Sequence, residues 1–383
     1  MSNMWKGLCD QANSEKATYL ITYCFLYFIL FFILFYELRR TVDFAAHIKF
    51  AREFALYGKP HSERFGFELL VVLLAGFSKD LQALAQAAII VLTIAVLVKA
   101  LISIYIASKE CKFSLAIFLS VIAIFVAPIT LSWSKHPLFP YNSPVHLGQF
   151  SGFIIHNPTT VLVFPFSLML FYSSIKERYL LTALLAAFSC VIKPNFVLAW
   201  MPCFVLFQIW KYGYRHEIAI KTAISLIPSL AILTTQLFTT KDLGDGILIL
   251  PFAAWKQLSN NIPLSILRSI AFPGMFTILY FEEIRNHKDL WFAWLILFVA
   301  TLQYSLFFIT GKVYSGNWSW GRYLAVYNVF LLCLIRFSVI CCKRSCLESI
   351  SRVVKNGVLF ILISLHFVSG ICYYIRGVLF HEW

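Results

Sequence analysis

Acidic residues are scarce in this chain. Aspartate and glutamate together number 18 of 383 residues, against 32 lysines and arginines. The long apolar runs are almost free of them. Ion-coupled transporters carry such groups near the bilayer midplane, so the shortage argues against a coupled exporter. The runs also lack the alternation of barrel strands, which excludes a membrane barrel. The ten cysteines are scattered and show no metal-ligand spacing. Their one cluster, "CCKRSC" (Cys341, Cys342, Cys346), is read as ordinary sequence. Internal repeats, low-complexity tracts and a separate soluble domain are all missing, so residues 1–383 read as a single integral-membrane domain.

What is abundant is apolar surface. Hydrophobic residues make up 60% of the chain and the mean hydropathy is +0.78. This excludes a soluble enzyme. Runs of about 20 apolar residues recur from end to end, the length needed to cross a hydrocarbon core. Backbone groups inside a bilayer must bond internally, so these runs are expected to be helices. The first ends in "YELRR" without a small-residue cleavage site and reads as a retained signal anchor. Helices are expected at 17–36, 82–107, 113–132, 159–174, 179–193, 196–211, 219–237, 264–282, 290–310, 322–341 and 357–376. The expected fold is thus an all-α polytopic membrane protein with about eleven transmembrane helices.

The net charge of +14 resides mostly in the connecting loops. Membrane lipids are the expected partners of that charge and nucleic acid is not. Short basic loops such as "SIKER" and "KYGYRHE" are expected on the cytoplasmic side. The first loop, 37–81, then lies outside despite carrying Arg39, Arg40, Lys49, Arg52, Lys59 and Arg64. A folded loop with a functional cationic surface accounts for that breach; an inverted topology also accounts for it. Within the loop, 65–77 is too short to span and reads as a re-entrant or interfacial segment.

Residues 42–57 of "TVDFAAHIKFAREFALYG" form an amphipathic pattern at helical spacing. Asp43, His47, Phe50, Phe54 and Tyr57 share one face, with Phe44, Ile48 and Ala51 beside it and Lys49, Arg52 and Glu53 opposite. Thr41 is the expected N-cap and Gly58 the expected stop. A carboxylate pointing where aromatics point is a candidate general base toward a sugar-acceptor hydroxyl, with His47 one turn away as its partner. A first-turn aspartate also favours the helix dipole, and an apolar-face histidine also packs, so both readings stay open.

Three further stretches carry polar groups at helix ends. "IIHNPTTVLVFP" offers Asn157 and Thr159 as caps. "VIKPNFVLAWMP" sets Lys193 between two close helices, either snorkelling or holding a phosphate. "GNWSWGRYLAVY" sets Arg322 beside Trp318 and Trp320, either an aromatic belt or a sugar-stacking edge. Arg268 is another cation near a helix end. His136, His146 and His156 share a loop, but their spacing matches no metal site, and no metal or other cofactor is indicated.

This arrangement resembles the GT-C superfamily of integral-membrane glycosyltransferases: one helix, an external loop with an acid on an amphipathic segment, then many helices. The three stretches above are similar to those of GT-C-like proteins from bacterial polysaccharide loci. The resemblance implies a bacterial inner-membrane enzyme taking a polyprenyl-phosphate-linked sugar to a glycan or lipid-linked acceptor. It places Asp43 as the catalytic acid–base group with His47 near it. Lys193, Arg268, Arg322, Trp318, Trp320 and Asn157 are the expected substrate-binding residues. The family often shows two adjacent acids where this chain has Asp43 followed by His47. The readings kept beside it are a lipid-linked sugar flippase and a polysaccharide polymerase or assembly component.

Overall fold

The structure is a computed structural model, and it describes residues 14–39, 41–59, 64–129, 157–240, 246–259, 261–310, 320–343 and 350–380. The helices are α1 (Ser14–Leu38), α2 (Val42–Tyr57), α3 (Gly66–Leu74), α4 (Leu81–Ser108), α5 (Phe113–Ile124), α6 (Pro158–Ile175), α7 (Tyr179–Ile192), α8 (Asn195–Tyr212) and α9 (His216–Thr240). Strand β1 (Gly246–Ile249) and helices α10 (Ala253–Leu258), α11 (Ile262–Leu279), α12 (Phe281–Ile284) and α13 (Lys288–Leu306) follow. Strand β2 (Phe307–Thr310), α14 (Trp320–Lys343) and α15 (Ile350–Phe380) complete the order.

Every expected span has a helix. Eight among the described residues are long and apolar enough to cross a membrane: α1, α4, α6, α9, α11, α13, α14 and α15. Helices α5 and α7 are apolar but shorter. The protein is an all-α polytopic membrane protein with one small addition. Phe307–Thr310, expected to continue a helix, instead pairs antiparallel with β1, Ile249 opposite Phe307 and Gly246 opposite Thr310. The β-branched and aromatic residues of "GILI" and "FFIT" suit a paired strand.

Helix α14 is central and packs against α5, α6, α8, α11 and α13. In its apolar span 72% of the residues are buried, against 22% in α1 and α9. The peripheral helices therefore show apolar faces outward, as with Tyr19, Phe25, Ile224 and Ile227. In water that would be unstable; against lipid tails it costs nothing.

Helix α5 stops at Ile124, short of the expected 132. Residues 126–129 leave the helix, so their backbone groups need other partners. His366 of α15 supplies those of Ala127: its Nδ1 donates to the Ala127 carbonyl at 2.7 Å, and its own carbonyl accepts from the Ala127 N–H. Its Nε2 accepts from the Phe272 N–H. That N–H lies beside Pro273, where α11 kinks at Ile270. One buried imidazole thus mends two breaks in the bundle.

Candidate functional site

Helix α2 starts and stops where its local chemistry requires. Thr41 is extended and its hydroxyl accepts from the Phe44 N–H. Gly58 takes φ 65°, a conformation that favours glycine, and closes the helix onto the Phe54 carbonyl. The buried stripe is Phe44, Ile48 and Ala51, packed toward α3 and α4. This corrects the expected inward face. Asp43 and Tyr57 are exposed, while His47, Phe50 and Phe54 are half-buried at the edge of the stripe.

Asp43 and Asn157 meet across 114 residues of sequence: the Asn157 amide nitrogen donates to Asp43 Oδ2 at 3.4 Å. Asn157 also caps α6, its Oδ1 accepting from the Thr160 N–H and from the Thr159 and Thr160 hydroxyls. The same oxygen accepts from Lys193 Nζ at 2.8 Å. Four donors on one oxygen settle which way the amide points: oxygen to the amine, nitrogen to the carboxylate. Lys193 donates to Thr159 Oγ1 as well. A carboxylate, an amide and a lysine therefore form one chain of hydrogen bonds.

Lys193 follows α7 directly and is only 7% exposed. Burial holds its amine well below the ordinary lysine value; Arg64 pushes the same way and Asp43 opposes. A lysine with a lowered folded value binds fewer protons folded than unfolded, between that value and the ordinary 10.5. Its contribution to stability then rises with pH across that window and is least favourable at lower pH. Lys193→Met should abolish this slope. The melting temperature of wild type minus that of the variant should increase from about pH 7 to about pH 10. A difference that stays flat across the range would remove the perturbed lysine.

The backbone around Lys193 is crowded with helix amino ends. A Cβ on Gly66, the first residue of α3, would lie 2.7 Å from Ile192 Cγ1 and 3.3 Å from the Ile192 backbone. A Cβ on Gly321, at the start of α14, would lie 2.6 Å from the Asn195 carbonyl oxygen. Helix α8 begins at Asn195 itself. The amino ends of α2, α3, α6, α8 and α14 thus gather at one end of the bundle. Those of α3 and α8 have no side-chain cap. Aligned peptide dipoles and the neighbouring Arg64 favour an anion at this end.

The other expected residues sit as follows. His47 turns from Asp43 to Glu68 of α3, its Nδ1 at 2.7 Å from Glu68 Oε1, with its ring edge-on to Phe67. Glu68 is 6% exposed, and its second oxygen has no hydrogen-bond partner among the described residues. Sequence reasoning passed over it; the signal was a lone acid inside an apolar nine-residue helix. Arg322 is 0% exposed, with its guanidinium carbon 3.6 Å from the Tyr304 ring centre and 5.1 Å from that of Trp255. Its aromatic neighbours thus include Tyr304 of α13 and Trp255 of α10, a cation–π arrangement. Trp318 lies outside the described residues, as do His136, His146, His156 and the side chain of Trp320. Arg268 is half-buried on α11, where its carbonyl accepts from the Ile129 N–H. No described contact joins its side chain to Asp43 or Lys193. Among the described residues no cluster of His, Cys, Asp and Glu could hold a metal ion.

No protein-family model, curated protein or solved structure matches this chain. The class that the fold itself defines is a multi-pass helical membrane protein with a polar cluster at one end.

Proposed function

We propose that this chain is a GT-C-like membrane glycosyltransferase, moving a sugar from a polyprenyl-phosphate donor to a glycan or lipid-linked acceptor at the outer face of a bacterial inner membrane. The observation that supports it most is the Asp43–Asn157–Lys193 chain, set where five helix amino ends meet. An exposed carboxylate can take a proton from an acceptor hydroxyl. The acceptor oxygen then bonds to the anomeric carbon as the bond from that carbon to the phosphate oxygen breaks. The electron pair leaves on the polyprenyl phosphate. Negative charge grows there, and fixed N–H groups with Lys193 and Arg64 are suited to stabilise it. An arriving phosphate also favours the protonated form of Lys193, so binding and proton uptake are coupled.

The test is reconstitution of the purified chain in vesicles with a polyprenyl-phosphate sugar and an acceptor glycan, followed by mass spectrometry. Wild type should release free polyprenyl phosphate together with a glycan one sugar heavier. Donor moved between leaflets without cleavage would instead establish a flippase and end the transferase reading.

A further inference from the structure

Far from this cluster, at the opposite end of the bundle, α8 and α9 are joined by the turn at residues 213–215. Gly213 takes φ 67° and ψ −170°, a conformation that only glycine adopts readily, and it turns the chain sharply. Helix α9 then leans more on α7 than on its hairpin partner α8. A cleft of about 240 Å³ is left between α8 and α9.

Its walls are apolar, with Val205, Ile209, Ile218 and Leu226 among them. Gln208, Tyr214, Arg215 and Thr222 interrupt them, and the Thr222 hydroxyl donates to the Ile218 carbonyl. Gln208 lines the cleft, is 2% exposed, and accepts the Tyr179 hydroxyl on its amide oxygen. Its amide nitrogen has no hydrogen-bond partner among the described residues. A buried donor left without a partner is costly, so a ligand acceptor there is favoured. Arg215 stands exposed at the rim. The nearby Lys211 is paired with Glu177, and Lys221 with Glu217. The described acids at this corner are thus engaged by lysines, and the Arg215 guanidinium has no described partner.

We infer that this cleft binds one anionic diacyl phospholipid. An acyl chain lies along the apolar walls, the phosphate meets Arg215, and an ester carbonyl accepts from the Gln208 amide. Gln208 precedes Gly213 by five residues, about 7.5 Å along a helix axis, so its amide lies deeper than Arg215 at the rim, as an ester carbonyl lies deeper than a phospholipid phosphate. A zwitterionic lipid offers the same tails but adds a cation beside Arg215, so charge selects the anionic class.

The experiment is native mass spectrometry of the full chain in detergent, with added dioleoyl phosphatidylglycerol, dioleoyl phosphatidylcholine or the diether analogue of the glycerol lipid. Phosphatidylglycerol should be retained about ten-fold better than phosphatidylcholine, a difference of about 1.4 kcal/mol. Arg215→Ala should erase that preference, while Arg285→Ala, a paired surface arginine, should not. Gln208→Leu should weaken the diester but leave the diether unchanged. Equal retention of the two headgroups, or indifference to Arg215→Ala, would overturn the assignment. So would displacement of the bound lipid by inorganic phosphate alone, which would mark a simple anion site.

Discussion

For the proposed transferase, Asp43→Asn should lower the rate of sugar transfer by about 10²-fold or more, the usual contribution of a positioned base, while the protein stays folded. Folding is expected to survive because Asp43 is exposed and the α2 cap belongs to Thr41. Asparagine also keeps the size of the side chain. The loss has two parts with one sign. The acceptor hydroxyl loses its proton acceptor, and Lys193 loses the negative charge that supports its protonated form. Glu53→Gln, four residues before the end of the same helix, should change the rate by less than about two-fold. Initial rates with a radiolabelled donor distinguish the two variants. Equal rates in both would leave Asp43 with only its interaction with the helix dipole.

Gly321→Ala should lower stability, and its effect should reach the site. The added Cβ would meet the Asn195 carbonyl oxygen at 2.6 Å and its carbon at 3.1 Å. Both are backbone atoms at the start of α8, so no rotamer change relieves the contact. Forced separation of this kind costs about 1–3 kcal/mol. It also moves α14 away from the turn that carries Lys193, and it disturbs Arg322 against Tyr304 and Trp255. Melting in detergent should occur several degrees lower, and transfer should fall further than the lost stability explains. Gly357→Ala is the matched control. It lies in helix α15 with nothing within 4 Å of the added carbon, so helix propensity should leave it neutral or slightly stabilised. Equal melting temperatures for the two alanine variants would show that α14 and α8 have room to spare.

Asp43 and Glu68, two of the carboxylates of the first connecting segment, behave differently, and burial explains why. Asp43 is exposed with one amide partner, free to meet a substrate. Glu68 is enclosed and holds His47, which ties α2 to α3. His47 therefore positions the segment that carries Asp43, as a pairing across two helices, and does not touch the Asp43 carboxylate in any described contact. A buried carboxylate without a partner is costly, so the imidazole beside it is a structural requirement as much as a chemical opportunity.

Local chemistry alone was enough to place α2 at 42–57. A hydroxyl cap, a glycine stop and helical spacing all act within a few residues. The apolar runs were equally legible, because a bilayer demands about the same length of every crossing helix. Asp43, Asn157 and Lys193 could each be singled out as polar groups at apolar helix ends. Their union could not, since 114 and 36 residues separate the bonded pairs and no period connects them. The same holds for Glu68 with His47, for Trp255 with Arg322, and for His366 at the broken end of α5. Whether a buried polar group is satisfied depends on what packs opposite it. That is a property of the assembled bundle, because the cost of burial arises only once the helices have closed around the group.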